Sequence, residues 1–305
     1  MTEFYLPSCG KGRIHCVQWE PEGRIRAVVQ VIHGISEYVE RYGELAAWLN
    51  ARGILVVGED HMGHGKSTEG KLPIAYFYGG WESAVDDSYA LLKKTKGEHP
   101  DVPYILLGHS MGSFMTRTLL YRYPDSGIDG VAICGTGWQP EPVLAAGKAA
   151  TAAIIQKHGE TAPSTFLDKL MFGAYNRGYG EVRTAFDWLN RDKAAVDAYI
   201  ADELCGATAS AGLVRDMLHG IGMNQSPRNL KKMNKDLPVY FLAGDQDPVG
   251  SWGKGVLKTA QAFLKAGVRR VEIRLYPGGR HEILNEICKE QVFGDLYDWI
   301  QREVL

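Results

Sequence analysis

Six short apolar runs punctuate the chain, at residues 27–32, 53–57, 104–107, 130–134, 239–243 and 271–275, each ending in turn residues. Continuous apolar runs of this length suit strands covered by helices on both faces, as in a parallel sheet. Residues 14–19 instead alternate apolar and polar positions, the pattern of a half-buried edge strand. Helical periodicity fills the gaps. Met111, Phe114, Met115, Thr118 and Leu119 share one face, and Pro124 ends that helix. Ala84, Val85, Ser88, Leu91 and Leu92 mark a second helix over 81–96. Val256, Leu257, Ala260, Phe263 and Leu264 mark a third, with Gly267 at its C-terminal end. From 282 to 305 a last helix is striped by Ile283, Ile287, Leu296, Trp299 and Ile300. Strand and helix alternate, which implies an α/β fold with a mainly parallel, doubly wound sheet.

Residues 137–234 break this rhythm, being helical in pattern with no clear strand. A structureless loop of that length is improbable. The segment therefore reads as an α-helical cap inserted into a core made of 1–136 and 235–305, lying over the sheet edge where α/β proteins place ligands. Its Phe166, Leu167, Leu170, Met171 and Phe172 are candidates for an apolar pocket. A net charge of −2 and the lack of any basic cluster give no pull toward nucleic acid. Five scattered cysteines without a CxxC pair read as reduced thiols. With no basic leader and no long apolar run, the expectation is a cytoplasmic protein.

The chemistry gathers at strand ends. Gly108-His109-Ser110-Met111-Gly112 sits between an apolar run and a helix, the setting of a strained serine elbow. A serine hydroxyl needs a base, an orienting acid and oxyanion donors to act as a nucleophile. Met111 N–H supplies one donor. The other is expected from Ile35, because the run 28–32 leads into His33-Gly34-Ile35, with His33 bracing the loop. Asp245 and Asp247 both follow the run 239–243. Asp245 is suited to organising the turn, and Asp247, fixed by Pro248, is preferred as the acid. His281 follows the last strand and completes the order Ser, Asp, His that characterises α/β-hydrolases. His61 and His64 lack a third ligand at metal spacing, so neither metal nor cofactor is expected.

Together these residues resemble the monoglyceride lipase and lysophospholipase branch of the α/β-hydrolases. His33-Gly34-Ile35-Ser36-Glu37-Tyr38 through Arg41-Tyr42 is similar to its HGxxEHxxRY signature, with Tyr38 in place of histidine. Residues 59–67 are similar to D-x-x-GHG-x-S, 108–112 to GHSMG, and 244–249 to GDxDPV. Ser113 stands where a second glycine often follows the elbow. Residues 201–205, with Cys205, resemble a DPLC-like segment of the cap. The resemblance implies Ser110, Asp247 and His281 as a triad, Ile35 and Met111 as oxyanion donors, and a mobile cap that admits single-chain lipids and touches membrane surfaces transiently. It implies hydrolysis of a monoacylglycerol or lysophospholipid ester, with polar groups near Glu37 and the His61–His64 loop facing the alcohol. Glu37 and Arg41, one helical turn apart, are placed to pair. Three alternatives share the fold: an amide hydrolase such as a prolyl aminopeptidase, an acyltransferase, and a receptor without catalysis.

Overall fold

The computed structural model describes residues 1–68 and 75–305. One sheet holds eight strands: β1 Thr2–Pro7, β2 Arg13–Trp19, β3 Ala27–Ile32, β4 Ile54–Glu59, β5 Tyr104–His109, β6 Gly130–Cys134, β7 Val239–Gly244 and β8 Val271–Tyr276. Their order in space is β1-β2-β4-β3-β5-β6-β7-β8. β2 pairs antiparallel with both β1 and β4, and β3 to β8 run parallel. This is the α/β-hydrolase fold. Strands β3 to β7 are buried along their whole length, as their unbroken apolar runs require.

Helices follow in chain order: α1 Gly43–Asn50, α2 Gly80–Glu98, α3 Met111–Arg122, α4 Glu141–His158, α5 Thr165–Phe172, α6 Lys193–Ala201, α7 Ala211–Asn224, α8 Pro227–Leu230, α9 Lys254–Lys265 and α10 Lys289–Glu303. Alternate strand residues point to opposite faces. Val28, Leu55, Leu106 and Phe241 pack with α2, α3, α7 and α9, whereas Val29, Val56, Ile105 and Leu242 pack with α1 and α10. Each such side chain contributes roughly 1.5–3 kcal/mol by leaving water, so these two layers dominate what holds the sheet. The α2–α3–α7 contact is specific as well as apolar. The Trp81 indole donates to Thr118 Oγ1 at 3.0 Å, whose hydroxyl meets Asn224 Oδ1 at 2.9 Å. Gly220 makes room for that indole, since a Cβ there would lie 2.1 Å from the ring.

The structure corrects several expectations. Residues 14–19 do not form an edge strand, because β1 covers them. The polar member of their alternation, His15, is fully buried and bonded to Asp60 at 2.8 Å and Glu3 at 2.9 Å. The edges are β1 and β8, and on β8 Glu272 and Arg274 point outward. On α9, Leu257 and Leu264 are exposed, while Val256, Thr259, Ala260 and Phe263 form the buried face. The last helix begins only at Lys289, which leaves Ile287 exposed in the preceding turn. Among the described residues no helix is long and apolar enough to cross a membrane.

Candidate active site

Ser110 sits alone between the end of β5 and the start of α3, with φ 52° and ψ −120°. A non-glycine residue held there stores on the order of 1–3 kcal/mol of strain, so its surroundings must enforce it. They do so by close approach. A Cβ at Gly112 would lie 1.9 Å from the Ile32 carbonyl oxygen, and one at Gly108 would lie 2.5 Å from the Gly112 carbonyl oxygen. Ser113, in the departing position after the elbow, donates its hydroxyl to the Ser110 carbonyl at 2.6 Å and so fixes the turn.

The loops after β7 and β8 converge on this serine. His281 Nε2 lies 2.8 Å from Ser110 Oγ, and its Nδ1 lies 3.0 Å from Asp247 Oδ2. The other Asp247 oxygen accepts the Val249 N–H at 2.8 Å, which leaves the carboxylate little freedom. Burial disfavours a charged His281, but the facing Asp247 carboxylate, with Glu282 and Glu37 behind it, outweighs burial and raises the imidazole above its ordinary range. Asp245 is not in this relay. It accepts the Gly278 N–H at 2.8 Å and ties the two loops together. His109, next to the serine, packs its ring 4.8 Å from that of His281, and Trp188 covers the imidazole at 5.0 Å.

On the other side of Ser110 lies the loop after β3. A Cβ on Gly34 would stand 3.1 Å from Ser110 Cβ, so the backbone passes directly beside the serine. Among the described residues neither Ile35 N–H nor Met111 N–H donates to a protein acceptor. His33 braces this loop: its Nδ1–H donates to the Gly34 carbonyl at 2.7 Å, and its Nε2 accepts the His61 N–H at 3.0 Å. Burial holds His33 and His61 well below the usual imidazole range and His64 at about 4, so the cluster is neutral. Among the described residues no trio of His, Cys, Asp or Glu is gathered for a metal ion.

The Glu37–Arg41 pair is present and larger than expected. Arg41 donates to Glu37 at 2.6 Å and grips both Glu282 oxygens at 2.7 and 2.8 Å. Glu37 also accepts from Gly34 N–H at 2.6 Å and from the Tyr42 hydroxyl at 2.9 Å. One guanidinium thus joins the loop beside the serine to the residue following His281. Burial opposes ionisation of Glu282, but Arg41 outweighs it and holds that carboxyl below its usual range. The sequence reading missed Glu282; its adjacency to the histidine was the available signal. Tyr38, in place of histidine, donates to Asp202 Oδ2 at 2.7 Å and thereby reaches the segment between β6 and β7.

A cavity of about 240 Å³ opens over Ser110. Gly34–Glu37, His109, His281 and Glu282 form its floor, and Asp168, Lys169, Phe172, Phe186, Trp188 and Leu189 stand among its walls. Of the five apolar residues expected to line it, only Phe172 does so. Leu167 is buried in the core, Met171 packs against it, and Phe166 and Leu170 face outward, because α5 presents its Asp168–Phe172 side to the cavity. His61 and His64 do not line it; they lie buried beneath the loop they support. Cys205 also falls outside the lining and packs partly buried beside Trp188, Leu189 and Tyr199.

The chain is similar to known lipases and esterases. Over 304 residues the chain is 28% identical to a monoacylglycerol lipase of Mycolicibacterium smegmatis, covering 98% of this chain and 96% of that protein. It is 25% identical over 300 residues to the monoglyceride lipase of Mus musculus, covering 95% and 88%. Among solved structures, a highly thermostable carboxyl esterase from Bacillus coagulans in complex with glycerol aligns with TM-score 0.90 at 26% identity, covering 100% of this chain and 99% of that one. A soluble variant of monoglyceride lipase from Saccharomyces cerevisiae shares the fold, with TM-score 0.78 at 18% identity over 100% and 95% of the two chains. A family model described as "Serine aminopeptidase, S33" matches residues 23–287, and the chain belongs to that hydrolase family.

Proposed function

We propose that this protein hydrolyses a carboxylic ester of a single-chain lipid, a monoacylglycerol or lysophospholipid, through an acyl-enzyme on Ser110. The observation that carries this reading is the hydrogen-bonded line Asp247–His281–Ser110, at 3.0 and 2.8 Å, opening into an aromatic-walled cavity. In this mechanism Ser110 Oγ attacks the ester carbonyl while His281 Nε2 takes its proton. Asp247 holds the imidazole by Nδ1 and stabilises its charged form. The Ile35 and Met111 N–H groups receive the oxyanion, a pair of donors worth about 3–4 kcal/mol each in comparable sites. His281 then protonates the leaving alcohol and activates the water that frees the acid.

Residues 137–234 act here as the cap, with Phe172, Phe186, Trp188 and Leu189 holding the acyl chain. Phe166 and Leu170, exposed one turn apart on α5, suit transient contact with a lipid surface. Five free thiols fit a reducing, cytoplasmic setting. A second reading, cleavage of an aminoacyl amide, draws on the family's description and on Asp168, a carboxylate in the cavity wall that an ammonium group would meet. Purified protein should label with a fluorophosphonate and turn over a medium-chain monoacylglycerol faster than a proline amide. Ser110→Ala should abolish both labelling and turnover, a loss of roughly ten-thousandfold or more. Near-normal ester turnover by Ser110→Ala would refute the mechanism, and a preference for the amide would favour the second reading.

A further inference from the structure

The charges around the cavity are unbalanced. Three carboxylates line it, Glu37, Asp168 and Glu282, against one ammonium, Lys169. A fourth carboxylate, Asp247, stands directly behind His281, and the second nearby cation, Arg41, is committed to Glu37 and Glu282. His281 is neutral when it serves as base. Lys169 is exposed, so water and salt screen it. Asp168 differs from the other carboxylates. Among the described residues it has no ion pair and no hydrogen-bonding partner for its carboxylate, and burial alone raises that carboxyl. A half-buried anion without a counter-ion projects its field into the space the substrate must enter.

We infer that this excess of negative charge sets the substrate's charge class: the site takes esters whose alcohol part is neutral or cationic and rejects phosphate-bearing ones, with Asp168 as the specificity-determining side chain. The inference rests on the ester-hydrolase reading and narrows it, favouring a glycerol ester over an acidic lysophospholipid. It also bears on product release. Hydrolysis adds water across the acyl bond and leaves a carboxylate in the cavity, its proton passing out through His281. The same field that repels a phosphate expels that carboxylate.

The test compares three decanoyl esters, of glycerol, of glycerol 3-phosphate and of choline, each below its aggregation concentration. With wild-type protein, kcat/KM for the phosphate ester should fall about tenfold or more below that of the glycerol ester, with the choline ester near the latter. Asp168→Asn should narrow the glycerol-to-phosphate ratio by about 3- to 10-fold, and decanoate should inhibit that variant more strongly. Raising salt from about 20 to about 500 mM should narrow the wild-type ratio as well, which keeps the question answerable if Asp168→Asn fails to fold. Equal turnover of the glycerol and phosphate esters would overturn the inference. So would a ratio unmoved by Asp168→Asn in a folded variant, or a wild-type ratio indifferent to salt. No turnover of any of the three esters, with Ser110 unlabelled by a fluorophosphonate, would instead overturn the ester reading itself, and the inference with it.

Discussion

The floor and the walls of the cavity are built on different principles. On the floor, every charged group is answered: Asp247 by His281 and Val249, and Arg41 by Glu37 and Glu282. All of these groups lie at strand ends or in short loops fastened to the sheet. In the walls, Phe172 stacks on Trp188 and Phe186 packs against Tyr199, and Asp168 is answered by nothing among the described residues. On the proposed mechanism the floor must hold reacting atoms to within a fraction of an ångström, and interlocking hydrogen bonds provide that. The walls need only exclude water and accept a flexible chain, for which apolar contact is enough.

Substitutions can sharpen or break this contrast. Asp247→Asn should have the largest effect, lowering turnover by roughly ten-thousandfold with little change in the fold. It should also move the acid limb of kcat/KM to lower pH. The carboxylate raises His281, and without it burial alone remains, which pushes the imidazole down. An unmoved limb would remove Asp247 from the relay. Arg41→Ala comes next. It strands two buried carboxylates and should cost about 3–5 kcal/mol in denaturant unfolding, part of which Glu282→Gln in the same chain should restore. A cost below about 1 kcal/mol would mean that Arg41 does not clamp the floor. Tyr38→Phe, which cuts the bond to Asp202 between floor and walls, should be the mildest, at about 1–2 kcal/mol in the same measurement. An effect as large as that of Arg41→Ala would show the two regions to be one unit.

The same contrast decides what the sequence discloses. Ser110, Asp247 and His281 are legible because each follows an apolar run and sits beside glycine or proline, so spacing along the chain translates directly into position at the sheet's edge. Ile35 also follows an apolar run, and its loop passes beside Ser110. The walls are not legible, because Ala185–Leu189 and Gly206–Ala207 belong to turns, a single 3-10 turn and loop backbone whose path no periodicity encodes. On α5 an apolar stripe points to the wrong face, since a carboxylate occupies the side turned to the cavity. Buried polar pairs mislead in the same way. His15 reads as a solvent-facing position until β1 covers it.

The separation between Ser110 and His281 also has a bearing on synthesis. Their contact joins residues 171 positions apart, and Arg41 reaches Glu282 across 241. A ribosome adding about 5–20 residues per second therefore makes Ser110 roughly ten to thirty seconds before His281. During that interval the elbow carries a serine with no partner to deprotonate it. On the mechanism proposed above, the chain gains ester-cleaving reactivity only once the loop after β8 is in place.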